Sequence, residues 1–522
     1  MPKIFFKYLL LFALFPAFTG MAAQDSIPGL ESSDSLDAEN PWLLSTNRAG
    51  MVFSRFLPDG DFALGLRREQ GDYHRVQASP EAYRYGFRAQ KMVRFSDLVF
   101  DGGFNYYNQQ QNMVGWTSRM NPFTNNPYML ADSMRGRYSK DYVEINGSLA
   151  YLILPRISLG LGVDYMVGDG ARIKDPRPVN AVFSMDIKPS LVYSLPGFKV
   201  GLSLRWMKGR EKISYKTIEN AKTYRLFRQF GLGIGAKTIN TWSYKRNYYL
   251  NGLGAGLQAE YQLGELKVFH ALDYVASNEA AEDGSNNPRK NDAGDYLENI
   301  LNFSTSVSFG ERFQHTVRVF ADWNLGSGSE FIQEPYTEKG ITYYRTVAVI
   351  DKYSFMHLLP GFEYRVSKPY TPYLNKWDLC FGLEALYEQE SYLLEAEQQM
   401  MNLLPSFSIS RAFVGEKSSL ALRLDLEFST SLDKELRQLR PYTALQNKAV
   451  WKGIVEPDFQ LRSGSAYMLG TGFRYGRFVR VVKKRSQFVY IDLDFRYTTA
   501  SHEAWAAPKT RTYFALSLGL NY

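Results

Sequence analysis

Along most of the chain apolar and polar residues alternate one by one. The last eleven residues show the pattern plainly: Phe514, Leu516, Leu518, Leu520 and Tyr522 occupy one face, and Tyr513, Ala515, Ser517, Gly519 and Asn521 the other. A period of two predicts a strand with a different solvent on each side. The same alternation recurs at Val143–Ile153, Ile157–Val167, Phe198–Trp206, Leu420–Phe428 and Val489–Tyr497. These runs are roughly 10 to 15 residues long, enough for a tilted strand to cross a bilayer, whereas soluble strands usually stop near five or six.

Alternation by itself fits a soluble sandwich as well as a membrane barrel; the connections separate the two. Tight turns at Leu154-Pro155-Arg156, Leu195-Pro196-Gly197, Leu263-Gly264-Glu265, Gly310-Glu311-Arg312 and Val414-Gly415-Glu416 alternate with long polar segments at 109–139, 209–246, 278–295, 326–352 and 431–462. Short periplasmic turns and long outer loops are the plan of an outer-membrane barrel. Counting back from Tyr522 predicts an all-β fold: one transmembrane antiparallel β-barrel of about 18 strands, within 16 to 20. Tyr106, Tyr107, Trp206, Tyr261, Trp323, Trp377 and Tyr387 are assigned to its interfacial girdles.

The N-terminus divides differently. Residues 1–22 read as a signal peptide, with Lys3 and Lys7 before an apolar run and Gly20-Met21-Ala22 at the cleavage positions. Residues 23–58 form an acidic periplasmic lead that ends in either a plug or a linker, with Trp42 and Arg48 as plug residues, and Met51–Phe56 as an extra strand-like piece. The barrel occupies 59–522. Export with cleavage near Ala22 to the outer membrane follows, and no cysteine after the apolar run offers a lipid anchor.

Composition narrows the chemistry. Of 522 residues 15% are aromatic, and the formal charge is +8, or +6 without Lys3 and Lys7. Exported and only modestly basic, the chain is not expected to bind nucleic acid. Cys380 is the lone cysteine, so an internal disulfide or a Cys-rich metal site is ruled out. The five histidines, His74, His270, His315, His357 and His502, are scattered without catalytic or metal spacing, so neither a cofactor nor an enzyme is expected. His74 and His502 are the two on outer loops.

Lys208–Arg246 is the strongest charge feature, with ten basic residues against Glu211 and Glu219. Lys208, Arg210, Lys212, Lys216, Arg225 and Arg228 are read first as contacts to lipopolysaccharide phosphates, and second as a vestibule attracting anionic solutes. The run Phe230–Ala236 lacks the ending of a phosphate loop and is read as a flexible or inward-folded loop. Arg205, Arg423, Asp425, Asp492 and Arg496 fall on the polar face as lumen charges, and their mixed signs predict ion pairs across a partly filled interior. A basic turn, Arg477, Arg480, Lys483, Lys484 and Arg485, is read as a docking point for lipid heads or the acidic lead.

Two resemblances add to this. Trp116, Asn121-Pro122-Phe123, Asn126-Pro127-Tyr128, Ala131-Asp132-Ser133 and Asp175–Asn180 resemble an uncharacterised family of large outer-membrane β-barrels, which implies the fold and no activity. Asn47-Arg48-Ala49-Gly50 is similar to the hatch of fatty-acid-transporter-type barrels, but Arg48 stands where those have proline, and they have fewer strands. The expected function is a channel or uptake component for a small solute. The alternative is a non-transporting accessory barrel docked to another envelope complex, and the third reading is a lipid-modifying enzyme. The terminal aromatic strand implies recognition by the barrel-assembly machinery.

Overall fold

The computed structural model describes residues 40–54, 60–219, 222, 224–238, 244–284, 291–371, 374–482 and 485–521. The signal segment, most of the acidic lead and Lys483-Lys484 lie outside the described residues. Strands β1 (Asp61–Gly71), β2 (Glu81–Phe95) and β3 (Leu98–Val114) come first. After the two-residue β4 (Leu130–Ala131) follow β5 (Gly136–Leu154), β6 (Ile157–Arg172), β7 (Arg177–Leu195) and β8 (Phe198–Lys216). Short β9 (Leu226–Gly231) and β10 (Ile234–Thr238) precede β11 (Lys245–Leu263), β12 (Leu266–Asp283), β13 (Asn291–Phe309), β14 (Gln314–Glu338) and β15 (Ile341–Thr371). Then come β16 (Leu374–Tyr392), β17 (Ala396–Val414) and β18 (Ser418–Gln438), helices α1 (Leu445–Val450) and α2 (Glu456–Arg462), and finally β19 (Ser465–Val482), β20 (Arg485–Ser501) and β21 (Lys509–Asn521).

Among the described residues eighteen strands form one antiparallel sheet, and β1 closes it by pairing with both β2 and β21. Closure leaves no sheet edge, the condition hydrocarbon imposes on backbone N–H and C=O groups. Sidedness follows from the alternation: Leu64, Leu202, Leu204, Leu253, Leu257 and Leu518 lie exposed on the outside, while Asp61, Gln258 and Ser517 on the same strands are covered within. The chain is an outer-membrane β-barrel. The tight turns lie at one end, where positive φ is met by glycine at Gly197 (74°) and Gly264 (61°).

Three expectations change. Tyr107 is not a girdle residue: it alternates with Tyr106, faces inward at 4% exposure and carries the Arg84 guanidinium 4.4 Å from its ring centroid. The outer "loops" are largely strand, because β8 continues to Lys216 and β14 and β15 extend as a hairpin to a turn at Lys339-Gly340. Met51–Phe56 does not begin with a strand. Arg48–Phe53 is a 3-10 turn, started by the Asn47 side chain accepting from the Ala49 N–H and ended by Ser54 N–H donating to the Met51 carbonyl.

Candidate functional site

The interior is occupied from both ends. At the turn end, residues 40–54 form a plug against the inner faces of β3, β5–β8, β11 and β12. Trp42, fully buried, donates from Nε1 to Glu260 Oε2 at 2.6 Å and packs on Phe269. Asn47 Nδ2 donates to Gln258 Oε1 (2.8 Å) and to the carbonyls of Leu191 (3.1 Å) and Leu202 (3.3 Å). Ala49 is held from both sides, its N–H donating to Ser190 Oγ (3.0 Å) and its carbonyl accepting from Ser158 Oγ (3.1 Å). Thr46 Oγ1 donates to Asp273 at 2.6 Å. The wall makes room with glycine: a Cβ on Gly160 would stand 2.2 Å from Ala49 N, and one on Gly201 2.5 Å from Asn47 Nδ2. Arg48, the other expected plug residue, turns along the plug and donates to the Leu43 carbonyl at 3.1 Å.

At the opposite end the closure is built from outer loops. Residues 115–135 turn inward, and Arg119 binds Glu211 (3.0 Å) and Glu279 (2.6 Å) while Asn126 Nδ2 donates to Glu279 at 2.6 Å. The Tyr128 carbonyl accepts from Arg246, itself buried against Asp283 at 2.7 Å. Arg172 and Asp132, both essentially inaccessible, pair at 2.6 Å. β9 and β10 form a hairpin that adds to β4, making a three-stranded sheet apart from the barrel wall. The glycine run is thus a turn, with Gly231 (119°) and Gly233 (82°) at positive φ under Tyr353, Trp451 and Tyr442. Tyr128, Leu130, Leu226, Tyr296, Tyr353 and Trp451 belong to one buried cluster. The helical segment 445–462 completes it, tied by Arg75–Asp458 at 2.7 Å and by Arg462–Glu388. The stretches that carried the first family resemblance are therefore the stretches that build this closure.

Between plug and closure, the inner faces of β7, β8 and β13–β21 carry the lumen charges. Arg205 pairs with Asp186 at 2.6 Å, and Arg474 with Asp492 at 2.6 Å. Arg423 reaches Asp425 and Asp494, each at 3.0 Å, and Arg496 reaches Asp494 at 3.4 Å. Ion pairs across the lumen were expected; these run along the wall instead. Gly470 and Gly472 on β19 leave a side-chain-free lane, and Arg423 on β18 crosses it to Asp494 on β20. The filling of the interior comes from the plug and loops, which periodicity does not register.

A family model described as "Family of unknown function (DUF6850)" matches residues 49–522. The chain belongs to this family. No curated protein matches the DUF6850 chain. Among solved structures it is similar to the ferric preacinetobactin receptor BauA of Acinetobacter baumannii, at 7% identity over 89% of this chain and 80% of that one, with a TM-score of 0.40. It is also similar to the outer membrane transporter YddB of Escherichia coli (7% identity, 90% and 81%, TM-score 0.39) and to the copper transporter OprC (7%, 89% and 81%, 0.38).

The remaining sequence-read residues sort by side. Lys208, Arg210, Lys212 and Lys216 stand exposed on the outside of β8, and Arg225 is exposed on the loop beyond it. Arg228 parts from them, turning inward on β9 to Asp283 at 3.1 Å. The side chains of the basic turn at 480–486 lie outside the described residues, and Arg477 is exposed on the outer face of β19. Among the described residues no group of three or more His, Cys, Asp or Glu is placed to hold a metal ion. His74 is held to the Arg75 carbonyl (2.8 Å), and burial pushes its imidazole below the ordinary value. His502 lies 3.4 Å from Ser463 Oγ through Nε2, but its Nδ1 accepts the Ala504 N–H at 3.0 Å. Neutral His502 therefore carries its proton on Nε2, facing the serine, which is the wrong tautomer for a base.

Proposed function

We propose that this barrel is an uptake channel for a small hydrophilic solute, gated by its own plug and inward-folded loops. One observation carries the reading: the plug packs on the β2–β12 side, while the β13–β21 side presents a charge-paired wall toward the interior. An interior that only had to be filled would be served by apolar residues, since buried ion pairs gain little over well-packed hydrocarbon. Paired charges of both signs wet a passage without selecting strongly for the charge of what passes. The plug supports gating because many of its contacts are hydrogen bonds to wall groups that water can replace when it leaves.

Single-channel recording in planar bilayers tests this. The full mature chain is expected to give closed or brief openings, and a chain lacking residues 40–54 a sustained conductance. Silence from both, with the barrel folded, would favour the accessory barrel that docks without transporting.

A further inference from the structure

The outer face of β8 carries a column of cations at the top of the apolar belt. Leu202, Leu204 and Trp206 point outward, and the next outward positions are Lys208, Arg210, Lys212, Ser214 and Lys216. Among the described residues none of these four cations stands in an ion pair; Arg210 donates to Asn247 Oδ1 at 3.0 Å and lies 5.1 Å from the Tyr249 ring.

The register gives their surroundings. Lys208 lies between Met185 on β7 and Asn251 on β11, and Arg210 between Phe183 and Tyr249. Lys212 lies between Ala181 and Asn247, and Lys245 joins the column beside Ser214. Acids enter only two strands away, Asp169 on β6 and Glu282 on β12, both on the Lys212 row and so roughly 10 Å from it at the ordinary strand spacing. The column is thus cationic, neutral or aromatic at its flanks, and fenced by one acid on each side. Directly beneath it lies hydrocarbon-facing surface.

Cations of this kind meet an anion that is itself anchored in the membrane. Successive outward residues are about 6.6 Å apart along the strand, so a headgroup with more than one phosphate can engage neighbouring side chains while its acyl chains cover Leu204, Trp206, Phe183 and Met185. We propose that Lys208, Arg210 and Lys212 form a binding site for a phosphorylated glycolipid of the outer leaflet, with Lys216 and Lys245 extending it toward phosphates farther from the membrane. Arg228 is outside the site because it is turned into the barrel. The ordinary alternative for such a column is hydration alone, and it predicts no preference between lipids.

The test is native mass spectrometry of the full mature chain in detergent, titrated with bis-phosphorylated lipid A, with the same lipid dephosphorylated, and with inorganic phosphate. The side chains face outward, so a K208Q/R210Q/K212Q variant keeps the wall intact, and K339Q at the β14–β15 turn is the control for losing an exposed cation elsewhere. Bis-phosphorylated lipid A is expected to bind the wild type and K339Q equally and the triple variant about tenfold or more weakly, because charge-assisted contacts are lost. Equal binding of the dephosphorylated lipid, or undiminished binding by the triple variant, overturns the site. Inorganic phosphate competing at the concentration of the lipid overturns the lipid as its source.

Discussion

Replacing Gly160 by alanine should unseat the plug without touching the outside of the barrel. Gly160 faces inward on β6, and the added Cβ would lie 2.2 Å from Ala49 N, 2.6 Å from Arg48 C and 2.7 Å from Ala49 Cα. All three are backbone atoms, so no side-chain rotation relieves them. Ordinary contact begins near 3.4 Å, and the plug must retreat by the difference, about 1.2 Å. Five hydrogen bonds depend on the present seat: Ala49 with Ser190 and Ser158, and Asn47 with Leu191, Leu202 and Gln258. At about 0.5–1.5 kcal/mol each, their loss weakens seating by roughly 3–7 kcal/mol. With tenfold in population for every 1.4 kcal/mol, the unseated state gains about two to five orders of magnitude. Gly147→Ala is the control, because a Cβ there meets nothing within 4 Å. Planar-bilayer recording should show sustained openings for Gly160→Ala and wild-type behaviour for Gly147→Ala. Protease cleavage within residues 40–54 should rise in parallel. Wild-type conductance together with an unchanged cleavage rate would refute the seating described here.

Two further outcomes are expected. Glu384 is completely buried on β16, and neither carboxylate oxygen has a hydrogen-bond partner among the described residues, so Glu384→Met, which removes both oxygens at similar length, should raise stability by about 1–3 kcal/mol. A lower Tm in the variant would mean that the carboxylate is satisfied in the folded barrel. Asp175, in the outer β6–β7 connection, accepts from the backbone N–H groups of Glu219 (2.9 Å) and Ile218 (2.8 Å) and from Arg177 (2.7 Å). Burial pushes its pKa up, but these donors outweigh burial and hold it below the ordinary value of about 3.9. A depressed folded pKa stabilises at pH above the unfolded value and is lost as pH falls through the folded one. Residues 217–219 should therefore come free only below about pH 4, read as faster motion of a label at T217C in a C380S background. A label that stays immobile down to pH 2 would count against this.

The alternation of Phe198–Trp206 or Val489–Tyr497 determined by itself which side chains meet lipid, because a strand has only two faces and hydrocarbon tolerates only one kind. Strand number and closure followed, since each tight turn marks a return and an open edge is forbidden in a membrane. What the alternation could not register is what fills the inside. Trp42 and Asn47 bind Glu260 and Gln258, more than 200 residues on, and Arg119 finds Glu211 and Glu279 only because three separate segments converge. Neighbours so distant along the chain leave no periodic trace. The lumen charges show the same division: their side was legible in the sequence, but Arg423 pairs with Asp494 only because the folded sheet sets a glycine, Gly472, between them. The lysines of β8 and Arg228 were one basic run in the sequence, and tertiary structure alone turned the former toward the membrane surface and the latter against Asp283.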